Sequence, residues 1–229
     1  MVLEFFRRGT DGQLEQVESK IGQMLGDARH SFDLAANALL AGAEASVVGD
    51  DIHTTDKRIN ALEREVRRDL VVHVSVHSAA SDVPMILAYM AVSKDVERIG
   101  DYAKNIWDLA HQGTDLSVAD DLEQLSSYRQ RISLLISQTA QTFLDRATED
   151  ARGFLSEADV LLKEYDERIN ECVASDRPSS YGVPRALYYR YLKRITAHLM
   201  NVLTALTMPV DQLAYFDEDP DDRLSLEEE

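Results

Sequence analysis

Three oxygen-bearing side chains recur at four-residue intervals near the middle of the chain. They are Glu97, Asp101 and Asn105, and a step of four residues is about one turn of an α-helix, or about 6 Å along its axis. The three side chains therefore form one row on the side of a helix that faces away from its apolar residues. Oxygen ligands of this kind are what a hard cation prefers, although a solvated helix face shows the same pattern.

A second oxygen-bearing row, formed by Asp56, Asn60 and Glu63, lies at the polar border of an earlier helical pattern. If the turn between the two helices places this border against the first row, the oxygens of both rows converge on one groove. Helical spacing does not decide whether they converge. We therefore treat a single metal site as a hypothesis, with these six ligands: Asp56, Asn60, Glu63, Glu97, Asp101 and Asn105. The alternative is that Arg98 and Arg194 pair with the carboxylates.

A third candidate is the helical row formed by Asp69, His73 and His77. Two histidines four residues apart can supply half of a zinc site. His73, however, also lies on the apolar face of its helix. That position favours a buried histidine with a hydrogen-bond partner over a metal ligand.

Carboxylate–x–x–histidine pairs occur twice, as Asp27 with His30 and as Asp108 with His111. Pairs of this form, with Glu as the carboxylate, bind iron in di-iron bundles. Because those sites also need two further Glu residues from other helices, a di-metal enzyme is the less favoured interpretation. The single Cys172 has no evident catalytic partner in the sequence, and no glycine-rich phosphate loop is present.

Helices are the elements that must position these residues. The 229 residues include only 5 prolines and 10 glycines, which favours long helices over a turn-rich β fold. Apolar periodicity predicts helices at about 13–47, from Thr54 or Thr55 to 78, at 84–112, at 122–148, over about twenty residues after Gly153, and at 185–207. The segment 175–184 is predicted to be a loop.

Two pairs of segments repeat in the same order along the chain. Asp56–Asn60 aligns with Asp166–Asn170, and Val96–Ile106 aligns with Leu192–Val202 without gaps. Such order indicates an internal duplication. The sequence therefore predicts an all-α fold of six helices in two tandem, structurally similar three-helix bundles.

The duplication divides the chain into four predicted parts. These are an N-terminal arm at 1–12, a first repeat at 13–113, a second and degenerate repeat at 114–208, and an acidic tail at 209–229. Phe5 and Phe6 in the arm are expected to pack on the end of the bundle.

Composition narrows the function classes. The net charge of −17 disfavours nucleic acid and anionic lipid as partners. No apolar run reaches the length of a membrane span, and the first residues lack the features of a secretory signal. With a single cysteine, these observations lead us to expect a cytoplasmic location.

The two oxygen-bearing rows resemble motifs of the PhoU family of phosphate uptake regulators. The resemblance is carried by Asp56-Lys-Arg-Ile-Asn60 followed by Glu63, and by Glu97-Arg-Ile-Gly-Asp101 followed by Asn105. Proteins of that family look like two three-helix bundles side by side, with a Glu/Asp-x-x-x-Asp motif in each repeat. The resemblance implies a PhoU-like fold and an iron, zinc, magnesium or manganese ion on the six residues named above.

The same resemblance implies a regulator and not an enzyme. Its expected role is to restrain the phosphate-starvation response through contacts with the ATPase of the phosphate ABC transporter and with the phosphate-sensing histidine kinase. The regulatory input is metal occupancy, the phosphate status of the transporter, or both, and we expect a homodimer. Two other functions stay open: a di-metal carboxylate enzyme and a helical scaffold without metal.

The second repeat departs from this motif. Lys193 and Ala197 stand where the first repeat has its two motif carboxylates, so both carboxylates are lost and a cation is added. Asp166 and Asn170 alone are too few for a metal cluster. We therefore expect at most one metal site, in the first repeat.

Overall fold

A computed structural model describes residues 12–77 and 82–213. These residues form six α-helices and one short 3₁₀ turn, and contain no strand, which confirms the all-α prediction. The helices are α1 (Gly12–Leu40), α2 (Ala45–His77), α3 (Val83–His111), α4 (Leu122–Asp145), α5 (Thr148–Ala174) and α6 (Ser179–Thr207). Most of the predicted N-terminal arm, with Phe5 and Phe6, and most of the acidic tail lie outside the described residues.

The first helix ends earlier than predicted, and the second begins earlier. Gly42 adopts a left-handed φ of +69°, and the amides of Ala41 and Ala43 both bond to the carbonyl of Asn37. This closes α1 as a glycine-containing C-terminal turn. Thr55, predicted as a possible cap, is instead fully buried in the interior of α2.

Two boundaries in the second half also differ from the prediction. Arg146 takes a left-handed φ of 53° and ends α4, so that α5 begins at Thr148 and not after Gly153. Most of the predicted loop at 175–184 is the first part of α6, with Pro184 inside the helix. Arg185 fastens this turn by donating to the Tyr181 carbonyl at 3.0 Å.

The six helices form two units of three. In the first unit α1, α2 and α3 all pack on one another, and in the second unit α6 packs on both α5 and α4. The units lie side by side through contacts of α3 with α6 and of α1 with α4. This arrangement confirms the tandem three-helix prediction, although α4 and α5 touch along little of their length.

A polar cluster joins the two units where α3 meets α6. The Asp95 carboxylate lies 2.8 Å from Nδ1 of His198 and accepts from the Asn201 amide at 3.1 Å. Arg194 donates to the Tyr102 hydroxyl at 3.3 Å, and the ring of Tyr102 stacks on His198. His198 and Asn201 are buried and the other three residues are half-buried, so their mutual bonds fix how the two units meet.

Within the described residues, no helix combines the length and the apolar character that crossing a membrane requires.

Candidate functional site

The structure places the two oxygen-bearing rows against each other. Helices α2 and α3 are packed neighbours, and Nζ of Lys104 lies 3.2 Å from Oδ1 of Asp56 on α2 and 3.7 Å from Oδ1 of Asp101 on α3. We call the space between the rows, bounded by Asp56, Glu63, Glu97 and Asp101, the carboxylate groove. One carboxylate from each row therefore contacts the same lysine ammonium group.

Lys94 makes the second bridge across the carboxylate groove. Its Nζ lies 2.6 Å from Oε2 of Glu97 and 4.0 Å from Oε1 of Glu63. Both carboxylates are nearly enclosed, with Glu63 only 6% exposed and Glu97 only 9% exposed. Enclosed carboxylates need a cationic partner to stay ionised, and Lys94 supplies one to both.

Two arginines add to this charge balance. Arg67 lies 2.6 Å from Oε1 of Glu63, and Arg98 donates to Oδ2 of Asp101 at 3.1 Å. The predicted alternative, that an arginine pairs with the row, therefore holds for Arg98. It does not hold for Arg194, whose described contacts are with residues of the polar cluster between α3 and α6.

Lys104 remains charged in this setting. Burial works to lower the pKa of its ammonium group, but the hydrogen bond that it donates to Asp56 and the nearby charges of Asp56, Asp101 and Asp108 outweigh this effect, so the pKa is raised. The two amides of the rows contribute little across the groove. Asn60 donates to the Asp56 backbone carbonyl of its own helix at 2.9 Å, and Asn105 lies half-buried one turn after Asp101.

The carboxylate groove as placed does not fit a metal ion. Across residues 12–77 and 82–213, no three His, Cys, Asp or Glu side chains are grouped as a metal site would require. Ammonium groups lie where a shared cation would contact carboxylates of both helices. The six-residue metal site stays a prediction, and binding would require the lysines to leave.

In the second unit, Lys193 stands at the position that aligns with the motif carboxylate Glu97. Nζ of Lys193 lies 2.6 Å from both oxygens of Asp166. Ala197 is buried and Asn170 is exposed, while Asn201 is part of the polar cluster between the units. The residues aligned with the first row thus serve a salt bridge and an interface in the second unit.

The histidine row does not assemble around one point. His73 is 2% exposed, and its Nε2 lies 3.0 Å from Oδ2 of Asp82, so the expected buried and hydrogen-bonded histidine is confirmed. Asp69 accepts from Lys20 at 2.7 Å instead. The His77 side chain lies outside the described part of the chain.

The carboxylate–x–x–histidine pairs are engaged elsewhere. Asp27 receives two hydrogen bonds of 2.6 Å from Arg58, and His30 lies 3.0 Å from Asp51. The ring of His111 stacks on Trp107. These side chains do not converge on a common centre, so no di-metal geometry is present in the described residues.

A small cavity of about 180 Å³ lies beside Cys172 in the second unit. At its edge the Tyr181 ring is held between Arg177 and Arg185, at 3.4 and 3.7 Å from the ring centre. Arg185 also makes a two-bond pair with Asp121. Burial raises the pKa of the Cys172 thiol, which disfavours the reactive thiolate. This arrangement is typical of a structural cluster.

Sequence reasoning missed the two groove lysines because it counted only oxygen ligands. Lys94 precedes Glu97 by three residues and Lys104 follows Asp101 by three. That spacing places each lysine on the same helix face as its carboxylate. The spacing could therefore have predicted the pairing of each lysine within α3. The contacts that both lysines make with α2 could be seen only in the packed structure.

These observations define a class of protein: an all-α molecule of two tandem three-helix units, with a groove whose carboxylates are paired to cationic side chains. Residues 21–110 match the family model of the PhoU domain. The match covers nearly all of α1 to α3, and includes all six predicted ligands.

A curated relative extends the similarity to the second unit. This relative, from Deinococcus radiodurans, is 24% identical over 204 residues, which is 86% of this chain and 93% of the relative. Another from Xylella fastidiosa is 31% identical over 101 residues, or 44% of this chain and 42% of the relative. Both are named phosphate-specific transport system accessory protein PhoU homolog.

A solved structure shows the same fold. PhoU from Pseudomonas aeruginosa superposes with a TM-score of 0.73, is 22% identical, and covers 88% of this chain and 97% of its own. The chain is therefore PhoU-like, and the resemblance seen in its sequence is confirmed.

Proposed function

We propose that this protein regulates phosphate uptake as an accessory protein of the phosphate-specific transport system. It acts by contact with the transporter ATPase and the phosphate-sensing histidine kinase, and restrains the phosphate-starvation response. The observation that carries the proposal is the similarity to a named accessory protein over 86% of the chain.

The geometry of the described residues supports action by contact. The carboxylate groove and the cavity beside Cys172 both have their charged groups paired, and paired groups of this kind stabilise a fold. No observation favours the di-metal enzyme, because its candidate ligands point to separate partners. The family resemblance favours the regulator over a helical scaffold without metal.

Cytoplasmic location and homodimer formation are part of the same proposal. A regulator that touches an ATPase and a kinase must share their compartment. Light scattering coupled to size exclusion tests the dimer, since it reports the mass of the particle in solution. A mass equal to that of one 25.8 kDa chain would contradict the dimer without affecting the regulatory role.

The decisive experiment is a pull-down of the purified transporter ATPase and of the kinase by the immobilised full chain. Retention of either partner is the expected result. If neither is retained at concentrations where a related regulator binds, the contact proposal is wrong.

Exposed apolar side chains offer probes for the contact face. Six exposed valine and leucine residues belong to the end of α2 and the start of α3: Val71, Val72, Val74, Val76, Val83 and Leu87. Exposed apolar groups often mark protein contacts. The variant Leu87→Asp tests whether this end of the molecule takes part in the partner contact. Val160→Asp, at an exposed valine of α5, is the control. Loss of partner retention with Leu87→Asp alone would locate the contact at this end.

A further inference from the structure

Two ammonium groups fill the space between facing carboxylates in the first unit. Lys104 links Asp56 on α2 with Asp101 on α3, at 3.2 and 3.7 Å. Lys94 links Glu97 on α3 with Glu63 on α2, at 2.6 and 4.0 Å. A divalent ion between the same helices would draw on the same oxygens, at about 2.0 to 2.6 Å, and the ammonium groups already contact them.

The local charge is also balanced without metal. The four carboxylates of the groove contact four cationic side chains, namely Lys94, Lys104, Arg67 and Arg98. A bound divalent cation would add two uncompensated positive charges beside these groups. Since like charges at this distance repel in a partly buried site, metal binding and lysine binding exclude each other.

The second unit reaches the same balance from a different position. Lys193 holds Asp166 with both Nζ–O distances at 2.6 Å. Asp166 is the residue that aligns with Asp56, but Lys193 aligns with Glu97 and not with Lys104. Both units thus place an ammonium group from their third helix against the equivalent carboxylate, but from two positions that do not align. A cation at this point is what both units share.

We propose that Lys94 and Lys104 in the carboxylate groove, and Lys193 beside Asp166, are built-in counter-ions that take the place of a metal ion. The chain then holds α2 against α3, and α5 against α6, without any metal. This inference is independent of the proposed function, because it concerns what joins the helices and not what the protein contacts.

The test compares metal binding and thermal stability of the full chain. Purified protein is dialysed against Mn²⁺, Zn²⁺ or Fe²⁺ and desalted, bound metal is measured by mass spectrometry, and Tm is recorded with and without EDTA. For the wild type we expect substoichiometric metal and the same Tm in both buffers. Stoichiometric metal that is lost in Glu97→Ala would overturn the proposal.

Removing the ammonium groups gives the converse test. The double variant Lys94→Met/Lys104→Met leaves the four carboxylates with fewer cations, so we expect a lower Tm that Mn²⁺ raises again as metal binds. Lys20→Met is the matched control. Lys20 also contacts two carboxylates, Glu65 and Asp69, but both lie on one helix. We expect its Tm to fall with no recovery in metal.

A folded double variant whose Tm does not rise when Mn²⁺ is added would contradict the proposal. If that variant does not fold, Lys104→Met is compared with Asp56→Asn/Lys104→Met, in which both charges of one pair are absent. The paired variant should have the higher Tm in EDTA, because it leaves no carboxylate without its counter-ion. An equal or lower Tm would overturn the built-in counter-ion role.

Discussion

Glu18 on α1 shows how one enclosed carboxylate is satisfied by a residue from another helix and a residue from a turn. Arg146 donates to both of its oxygens, at 2.7 and 2.8 Å, and the Tyr89 hydroxyl donates to it as well. Glu18 is 7% exposed, so it relies on these partners for its charge. Arg146 comes from the turn between α4 and α5 and therefore links the second unit to the first.

We predict that Arg146→Met lowers the free energy of unfolding by about 3 kcal/mol, because it leaves a buried carboxylate without its cation. Arg152→Met is the control, since Arg152 pairs with Glu149 on the surface and such pairs contribute at most about 1 kcal/mol. Urea unfolding measures both. Equal effects of the two variants would show that the Glu18 pair has no special role.

At Arg146 the stability gained from the guanidinium group can be separated from the cost of the left-handed backbone. Its φ of 53° costs a non-glycine residue about 1 to 2 kcal/mol. Arg146→Gly should therefore be less damaging than Arg146→Met, although both lose the same guanidinium group. This left-handed residue also explains the wrong helix boundary near 148, since nothing in the sequence marks an arginine for that conformation.

The two oxygen-bearing rows could be predicted from sequence, but the pairing of their carboxylates with lysines could not. Rows at Asp56 and Glu97 follow from helical spacing, and the packing of α2 on α3 follows from their apolar stripes. The balance of charge depends on where flexible lysine stems end, and Lys104 finds Asp56 across 48 residues of sequence. Spacing within one helix cannot predict that contact.

At the scale of elements, two helices come unusually close at Gly49. A Cβ atom there would lie 2.8 Å from Cζ2 of Trp107. Trp107 is fixed in place because its indole N–H donates to the Ala45 carbonyl at 2.8 Å and its ring stacks on His111. The start of α2 can approach α3 only because position 49 lacks a side chain.

We expect Gly49→Ala to lower the free energy of unfolding by about 2 kcal/mol, because the indole ring must move and its hydrogen bond weakens. Gly153→Ala is the matched control. Gly153 lies inside α5 with no atom near its Cβ position, so alanine there should stabilise by about 1 kcal/mol. Chemical denaturation of both variants is the measurement, and a shift of the same sign in both would contradict this account.

Helix existence was predictable in every case, but helix ends were less so. The break at 41–44 depends on the left-handed Gly42, in a stretch whose apolar periodicity continues past it. Conversely, Pro184 suggested a loop, yet α6 passes through it because Arg185 and Asp121 hold the turn together. The first error arises from the local freedom of a glycine, and the second arises where a tertiary contact overrides local preference.

At the scale of the whole molecule, buried tyrosines cause the free energy of unfolding to fall at alkaline pH. Burial raises the pKa of Tyr89, Tyr165, Tyr188 and Tyr189 above the ordinary value of 10.0. The folded chain therefore keeps protons that the unfolded chain releases. By linkage, the stability that these tyrosines contribute is fully present below their unfolded-state pKa. It is lost as the pH rises above that value toward the folded-state pKa.

We predict that the free energy of unfolding falls as the pH rises past about 10, by up to about 1.4 kcal/mol per pH unit for each buried tyrosine. Urea unfolding at each pH gives the free energy, and phenolate absorbance reports ionisation. The two should change together. Tyrosine ionisation at its ordinary pKa in the still folded protein would contradict the burial that the structure describes.

The central proposal is that a PhoU-like pair of helical units recognises phosphate-transport proteins by contact, with its carboxylates paired to lysines and not to metal. Titration calorimetry of the chain with the purified transporter ATPase, in EDTA and in Mn²⁺, tests this most directly. We predict saturable binding of equal affinity in both buffers. Absence of binding heat in both buffers would contradict the contact role. Binding only in Mn²⁺ would contradict the pairing of the carboxylates with lysines in place of metal.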